Sequence, residues 1–326
     1  MQEPLGLLHG AAAREAVAAG LARPLAGGPL AFSLVRLEDG RIVQAGEVSC
    51  EALTVRRPWA GIADFPAVMG ILNVTPDSFS DGGRHFDPGR AVEAGLAMVA
   101  AGAALVDVGG ESTRPGALAV SPELERARVV PVVRALAGQG VAVSVDTRNA
   151  ATMAAALDAG ARIINDVSAL AHDAAAAAVV AGRGCPVVLM HMRGRPDTMA
   201  RLADYRDVAA EVAAELAGRV AAAAAAGVAR AAIALDPGIG FAKGQAANLD
   251  LLGRLGVLLG LGFPLVVGVS RKAFIGRIGG EAEPSRRLGG SLAAGLAAAL
   301  HAVAVLRVHD VEQTMQAVRV WRAIHG

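Results

Sequence analysis

Eight positions in the sequence carry side chains that could do chemistry directly after an apolar run. Each is an amide, a carboxylate, a hydroxyl, an imidazole or a cation. In chain order they are Asn73, Asp107, Asp146, Asn165 with Asp166, His191, Asp236, Ser270 with Lys272, and Arg307 with His309. One Asp or Asn alone would serve equally well as a helix N-cap. Eight in succession instead predict a rim of polar groups around one binding site.

The segments between these positions alternate between strands and helices. Continuous apolar strands alternating with helices indicate a parallel sheet covered by its helices. We predict strands at 68–73, 104–108, 141–146, 162–166, 186–190, 232–236, 264–268 and 305–309, and helices near 88–101, 121–137, 149–159, 173–182, 205–226, 248–260, 285–302 and 311–325. Eight such units predict an α/β protein with a (β/α)8 TIM barrel over residues 66–326, close to the typical length of roughly 250 residues.

A doubly wound open sheet is the alternative fold. Its dinucleotide-binding form opens the first helix with Gly-x-Gly-x-x-Gly. The nearest run here, Gly238-Ile-Gly-Phe-Ala-Lys243, has Lys at the third Gly position. In a barrel, by contrast, the chemistry lies at the carboxyl ends of the strands. The polar rim is therefore expected at that end.

Residues 1–65 do not follow this alternation and are expected to form an N-terminal appendage. Leu30–Val35 and Arg41–Val48 are separated by Glu38-Asp-Gly40. Asp-Gly between two apolar runs is a strong hairpin signal. We predict a small β-hairpin that packs on the barrel and carries no chemistry.

Composition excludes several classes of protein. The 31 Lys and Arg nearly balance the 30 Asp and Glu, and the net charge of +1 argues against nonspecific nucleic-acid or membrane-surface binding. Cys50 and Cys185 have no metal-ligand spacing and are expected to be buried thiols. The uncharged stretch from Leu288 to Leu306 is rich in Ala and Gly, so we interpret it as a buried helix rather than a membrane span. No signal peptide is apparent, and we expect a cytoplasmic protein.

Two long loops rich in Gly, Ser and Asp follow the first two strands. They read Asn73-Val-Thr-Pro-Asp-Ser-Phe-Ser-Asp-Gly-Gly83 and Gly109-Gly-Glu-Ser-Thr-Arg-Pro-Gly116. Such loops suit segments that close over a ligand. With Met69-Gly-Ile-Leu ahead of the first, they resemble the two leading motifs of the dihydropteroate synthase family. Further matches in the family's order are Ser144–Thr147, Ile164–Val167, Met190–Met192, Asp236–Phe241, Gly268–Lys272 and Leu306–Val311.

The resemblance implies a transferase of folate biosynthesis. Such enzymes join 4-aminobenzoate to a dihydropterin bearing a CH2-diphosphate, releasing diphosphate and 7,8-dihydropteroate. A carboxylate can accept two hydrogen bonds from the guanidine-like edge of a pterin. By resemblance that carboxylate is Asp236, while Asp146 and Asn165 meet other ring nitrogens and Lys272 meets the ring carbonyl.

The diphosphate needs positive charge and hydrogen-bond donors. The resemblance assigns Arg307 and His309, which lie two apart and so share one face of a strand. A helix starting near Asp310 or Val311 would add free N–H groups. Asn73 is the expected protein ligand of Mg2+, the implied cofactor, which takes its other ligands from phosphate and water.

The aminobenzoate is expected between the first two loops, near Thr113, Arg114, Pro115 and Phe79. Its carboxylate would point toward Ser270. Met190 and Phe241 would wall the pocket, and Gly268 is expected to contact substrate. The resemblance also suggests a homodimer. Lys272, Arg307 and His309 are the residues expected to act in catalysis, without a side-chain nucleophile.

Other functions fit less well. A corrinoid-type pterin methyltransferase would have no use for a diphosphate site. A Schiff-base aldolase needs its lysine on a strand, whereas Lys272 lies past one. A non-catalytic pterin-binding protein would be expected to lack some of these residues. Gly268-Val-Ser-Arg-Lys272 has Lys where a serine hydrolase needs Gly. Departures from the family's usual residues at Ala242, Gly244 and Ala247 concern a loop rather than the predicted substrate contacts.

Overall fold

The computed structural model describes residues 2–62, 64–75, 87–111, 120–195 and 198–325. Its N-terminal part is a small antiparallel sheet of four strands: β1 (Glu3–Leu8), β2 (Arg23–Pro24), β3 (Ala31–Arg36) and β4 (Ile42–Gln44). The predicted hairpin is confirmed, since β3 pairs with β4 around the turn at Asp39 and Gly40. Two strands and the helices α1 (Gly10–Ala18) and α2 (Glu51–Thr54) were not predicted.

The rest of the chain forms the predicted barrel. Its eight parallel strands, with neighbours in the order β10-β9-β8-β7-β6-β5-β12-β11, are β5 (Ala67–Asn73), β6 (Leu105–Gly109), β7 (Val143–Asp146), β8 (Ile163–Asp166), β9 (Val187–Met190), β10 (Ile233–Asp236), β11 (Val266–Val267) and β12 (Val305–Val308). The two ends of this order meet through a parallel bridge between Leu235 and Leu265. The sheet is thus a nearly closed barrel.

Ten helices of the described residues surround or cap the strands: α3 (Pro88–Ala100), α4 (Pro122–Gly138), α5 (Ala150–Asp158), α6 (Ala176–Arg183), α7 (Val208–Ala225), α8 (Gln245–Gly253), α9 (Gly256–Leu259), α10 (Ala273–Gly279), α11 (Leu288–Ala299) and α12 (Val311–His325). N-capping side chains determine where two of these helices begin. Asp87 accepts hydrogen bonds from Gly89 and Arg90 N–H, and Ser121 accepts one from Leu124 N–H. Each is followed by Pro at the first helical position, where a missing N–H costs nothing.

Three predicted elements differ from the structure. The helix at 248–260 is divided into α8 and α9, separated at Arg254 and Leu255 between two glycines. The strand at 264–268 is reduced to Val266–Val267, the two residues that pair with β12, and the short helix α10 that follows was not predicted. The helix at 285–302 is shorter, at Leu288–Ala299, and follows a 3-10 turn.

The amino end of the barrel is closed by Trp59. Its side chain is 2% exposed and clusters with Ala67, Met69 and Leu105 inside the barrel. The indole N–H donates to the carbonyl of Ala232 over 2.8 Å. Residues just before the first barrel strand therefore fill the floor of the barrel, opposite the polar rim.

The N-terminal sheet shares a core with the barrel. Leu25, Phe32 and Val35 are fully buried in the same apolar cluster as Leu255 and Leu258. An ion pair joins Glu3 to Arg254, which also pairs with Asp207 at the start of α7. Both cysteines are free and buried, as predicted. Among the described residues no helix combines the length and the apolar character of a membrane span.

Candidate active site

Sheet register brings the ends of the first four barrel strands side by side. Asn73 pairs with Gly109, Gly109 with Asp146, and Asp146 with Asn165. Neighbouring strands lie about 5 Å apart. The side chains of Asn73, Asp146 and Asn165 therefore stand along one edge, with the side-chain-free Gly109 leaving a gap between the first two.

Arg307 crosses this edge and pairs with two carboxylates. Its Nε lies 2.6 Å from Asp107 Oδ2, and its Nη2 lies 2.8 Å from Asp146 Oδ2. Asn165 Nδ2 donates to the same oxygen of Asp107 over 3.0 Å. Gly268 lies directly beside the arginine, since a Cβ on it would be in ordinary van der Waals contact with Arg307 Cβ at 3.9 Å. Residues 200 positions apart in sequence thus form one hydrogen-bonded cluster.

The cluster has a hydrogen-bond acceptor that remains available to a polar ligand. Asp107 is fully buried, yet its Oδ1 has no hydrogen-bond partner among the described residues. Burial raises the pKa of Asp146, and Asp107 adds to this, while Arg307 acts in the opposite direction. A buried acceptor without a donor is costly. The cluster is therefore suited to a ring that presents N–H groups.

Asp236, at the end of β10, forms the second part of the site. It is 6% exposed, and its Oδ1 accepts a hydrogen bond from Gly238 N–H over 2.7 Å. Burial raises the pKa of Asp236, whereas the positive charges of Lys272, Arg307 and Lys243 lower it. With Oδ1 accepting from Gly238 N–H, Oδ2 is the oxygen left for a donor in the pocket.

Lys272 faces Asp236 from the start of α10. Its Nζ lies 4.3 Å from the centre of the Phe241 ring, a cation–π distance. Burial lowers the pKa of Lys272 to about 8, with Asp236 opposing that shift. Gly240 has φ +84°, and a Cβ there would lie 3.1 Å from Lys272 Cδ. Glycine at this position therefore lets the lysine side chain pass close to the backbone of the loop.

Ser270 and His309 form the third part. Ser270 Oγ lies 3.2 Å from the backbone nitrogen of His309 and 3.1 Å from its Nδ1. Burial lowers the pKa of His309 to about 3, and Arg271 and Arg307 act in the same direction. The imidazole is therefore neutral at physiological pH. The helix α12 begins at Val311, where the predicted helix began.

The remaining predicted residues are placed as follows. Met190 is buried at the end of β9 and pairs in register with Asp236. Thr113, Arg114, Pro115 and Phe79 lie outside the described residues. Among the described residues no three His, Cys, Asp or Glu side chains are grouped to hold a metal ion.

Two of the polar strand ends do not join the site directly. Asp166 is fully buried, and its oxygens accept from Ser168 N–H, Ser168 Oγ and Leu170 N–H, so it shapes a turn. His191 contacts Glu215 and Lys243 behind the pocket. Conversely, Asp107 was not among the predicted substrate contacts. Asp107 lies near the end of β6, two residues before Gly109 and therefore on the same face of the strand. That position was the sequence signal that could have identified it as a site residue.

Known proteins resemble this chain over the barrel. A family described as pterin binding enzymes matches residues 69–309. Dihydropteroate synthase of Mycobacterium leprae is 49% identical over 259 residues, covering 78% of this chain and 91% of the relative. The Escherichia coli (strain K12) enzyme is 48% identical, covering 79% and 91%.

Solved structures agree with this relationship. The Xanthomonas albilineans dihydropteroate synthase with 4-aminobenzoic acid has a TM-score of 0.76 at 45% identity, covering 88% of this chain and 96% of that one. The same enzyme in complex with 7,8-dihydropteroate has a TM-score of 0.73 at 46% identity, covering 80% and 94%. By its family match, its relatives and its fold, the chain belongs to the pterin-binding enzyme family and, within it, to the dihydropteroate synthases.

Proposed function

We propose that this chain condenses 4-aminobenzoate with (7,8-dihydropterin-6-yl)methyl diphosphate through the cluster of Asp107, Asp146, Asn165 and Arg307 and the neighbouring pair Asp236 and Lys272. The amine nitrogen forms a bond to the methylene carbon as the carbon–oxygen bond to diphosphate breaks. The electron pair of that bond leaves with diphosphate, and the nitrogen loses one proton. No side chain has to act as a nucleophile.

The acceptors of the pocket support binding of the pterin ring. Asp236 can accept from the guanidine-like edge, and the unpartnered Oδ1 of the buried Asp107 offers a further acceptor. Lys272 would donate to the ring carbonyl. A ring lacking these donors would leave buried carboxylates unpaired, which gives strong selectivity. This arrangement of buried acceptors around two cations is the observation that carries the proposal.

Arg307 is proposed to act on the diphosphate as well as on the ring. Although burial opposes it, the carboxylates of Asp107 and Asp146 raise the pKa of Arg307 above its ordinary range. The guanidinium therefore stays charged and can stabilise the leaving group. His309, being neutral, would contribute a hydrogen bond rather than charge, together with the first N–H groups of α12.

Mg2+ is proposed to bind at the gap beside Gly109. A Cβ on Gly109 would lie 3.8 Å from both Asn73 Oδ1 and Asp146 Oδ2, so the two oxygens face one space. Oxygen ligands suit Mg2+, which is commonly held by one or two protein oxygens and substrate phosphates. When bound, it would neutralise charge on the diphosphate. Asn73 would be its protein ligand, with Asp146 nearby.

The proposal also covers the binding of 4-aminobenzoate, the oligomeric state and the cellular location. The aminobenzoate carboxylate would approach Ser270, with Thr113 and Arg114 as further contacts. A homodimer is proposed from the family resemblance. We propose that the enzyme works in the cytoplasm.

The test is an assay of diphosphate release and dihydropteroate formation with purified protein. Equimolar diphosphate and dihydropteroate are expected when both substrates and Mg2+ are supplied, with little release when 4-aminobenzoate is omitted. Binding of the pterin without turnover would favour a non-catalytic pterin-binding protein instead and would contradict the proposal.

A further inference from the structure

Lysine is nearly absent from this protein. Only two of its 31 basic Lys and Arg residues are lysines, Lys243 and Lys272, and the rest are arginines. Both lysines lie close enough to Asp236 to affect the pKa of its carboxyl group. Lys272 faces the pocket, whereas Lys243 lies behind Asp236 and is only 8% exposed. Because burying an ammonium group is costly, the hydrogen bonds of Lys243 indicate the role of this side chain.

The ammonium of Lys243 binds two carbonyl groups of one loop. Its Nζ lies 3.0 Å from the carbonyl oxygen of Gly238 and 3.0 Å from that of Phe241. Gly238 is the residue whose N–H donates to Asp236, and Phe241 is the residue whose ring faces Lys272. One side chain therefore joins both parts of the loop that shape the pterin pocket.

The third hydrogen bond of Lys243 goes to His191. Nζ and His191 Nδ1 are 2.9 Å apart, and His191 Nε2 lies 2.9 Å from Glu215 Oε2. Because an ammonium group only donates, Nδ1 must accept, and the ring must carry its proton on Nε2 and donate it to Glu215. Burial lowers the pKa of His191 to about 4, and Lys243 acts in the same direction, which agrees with a neutral ring.

Glu215 is itself fixed in position. It accepts from Arg193 Nε over 2.9 Å, and Arg193 Nη2 also donates to Glu211 over 2.8 Å. The guanidinium lies 3.9 Å from the centre of the Tyr205 ring, whose hydroxyl donates to the carbonyl of Ala242 at the end of the same loop. The residues that hold Lys243 thus also hold the loop from its far side.

Glycine makes the close packing of this loop possible. Gly238 has φ +66°, and a Cβ on it would lie 1.9 Å from the carbonyl oxygen of His191. The loop therefore presses directly on the residue that holds the ammonium. Displacement of Lys243 would free Gly238 and Phe241 together.

We propose that Lys243 is a positioning residue of the pterin site: its ammonium group holds loop 237–242 so that Asp236 and Phe241 meet the ring, and His191 and Glu215 hold the ammonium. The inference rests on the proposed function, whose pterin pocket this loop forms. It assigns a role to a lysine that is 8% exposed and whose hydrogen bonds go to the loop and to His191.

The charge of Lys243 is sensitive to pH. Burial lowers its pKa to about 7, while Asp236 and Glu215 raise it and Arg193 and Lys272 lower it. With His191, these are the charged and titratable groups that face it. The ammonium form, which can donate all three hydrogen bonds, is present below that pH and is lost as pH rises through it. Binding of the pterin should therefore weaken as pH rises above about 7.

The test compares Lys243→Met with the wild type and with Arg286→Met, which removes an arginine that is 74% exposed on its side chain. Loss of hydrogen bonds from a charged donor predicts a rise in KM for the pterin substrate of about tenfold or more. KM for 4-aminobenzoate is expected to change by less than about twofold. A merely structural role would lower the active fraction and kcat without this division between substrates.

A second pair of variants, at His191, tests the same inference if Lys243→Met does not fold. In His191→Gln the side-chain oxygen can accept from Lys243 while the amide donates to Glu215, whereas His191→Leu can do neither. We expect His191→Leu to raise KM for the pterin and His191→Gln to stay closer to the wild type. Equal KM values for the two would overturn the inference.

The two lysines also allow a direct measurement without turnover. Protein labelled with 13C at lysine Cε should give two side-chain signals, and Lys243→Met identifies one of them. The Lys243 signal should titrate near pH 7 and shift on addition of the pterin substrate. A folded Lys243→Met variant with wild-type KM for the pterin would refute the inference, whereas an inactive wild type would refute the proposed function.

Discussion

Arg307 Nη2 lies 2.8 Å from Asp146 Oδ2, and this contact joins the last barrel strand to the third. The side chain was expected to bind diphosphate, yet in the structure it also neutralises the carboxylates of the proposed pterin pocket. Asp107, whose Oδ2 lies 2.6 Å from Arg307 Nε, is the second of these carboxylates. One arginine therefore connects the two halves of the proposed site.

Substitution of Arg307 should affect both halves. Removing one partner of a buried ion pair leaves uncompensated charge, at a cost of about 3–5 kcal/mol. We expect Arg307→Ala to lower kcat/KM roughly 100-fold or more, and Arg307→Lys to recover little, because an ammonium cannot span Asp107 and Asp146. Arg286→Ala is the matched control. Turnover by Arg307→Ala near that of the control would contradict the assignment.

The activity should fall at alkaline pH because Lys272 loses its positive charge there. Its folded-state pKa, lowered to about 8, means that the ammonium is present below that pH and lost as pH rises through it. Since the charged form is the one that donates to the ring carbonyl, kcat/KM for the pterin should decline above about pH 8. Lys272→Ala should abolish turnover. Lys272→Arg, which stays charged, should be weakly active and lose the part of the decline near pH 8, while the part near pH 7 that belongs to Lys243 remains. A decline near pH 8 that persists in Lys272→Arg would assign it to another group.

Asn73 should determine the requirement for Mg2+. Loss of its amide oxygen would leave the ion to the substrate and water alone. Asn73→Ala should therefore need at least about tenfold more Mg2+ for half-maximal activity, since losing even a residue that supports a metal ligand typically weakens metal affinity by about 10- to 100-fold. Chelation of divalent metal should stop turnover in both proteins. An unchanged Mg2+ titration would exclude Asn73 as a ligand.

The N-terminal sheet should matter for stability more than for chemistry. Removal of residues 1–50 keeps Trp59 in the barrel floor but exposes the apolar surface that Leu25, Phe32 and Val35 cover. Each such side chain stabilises the fold by about 1.5–3 kcal/mol, so Tm should fall by at least about 5 °C. Turnover per folded molecule should be retained. Inactive protein with a native circular dichroism spectrum would show that the sheet serves the active site.

The barrel could be predicted because each strand is an apolar run that ends in a polar residue. That pattern placed Asp146, Asn165 and Asp236 at strand ends, and the register shows them there. Strand β11 was overextended, because Pro264–Gly268 has the apolar composition of a strand. Hydrogen bonding to the neighbouring strands limits it to Val266 and Val267.

The pairing of side chains within the site could not be predicted from spacing. Arg307 and His309 share a strand face, yet one reaches across to Asp107 while the other stays beside Ser270. These choices depend on which buried charges meet in three dimensions. The contacts of Lys243 with His191 and Phe241 depend in the same way on how the loop after β10 folds back.

Binding of the pterin substrate to Asp236→Asn tests the central claim most directly. The substitution keeps the size of the side chain but replaces an acceptor by a donor facing the ring's N–H groups. Isothermal titration calorimetry with the pterin diphosphate should give a Kd roughly 10- to 100-fold higher than that of the wild type, as expected for one buried unpaired group. An unchanged Kd in the folded variant would show that the ring does not bind at Asp236 and would contradict the proposed site.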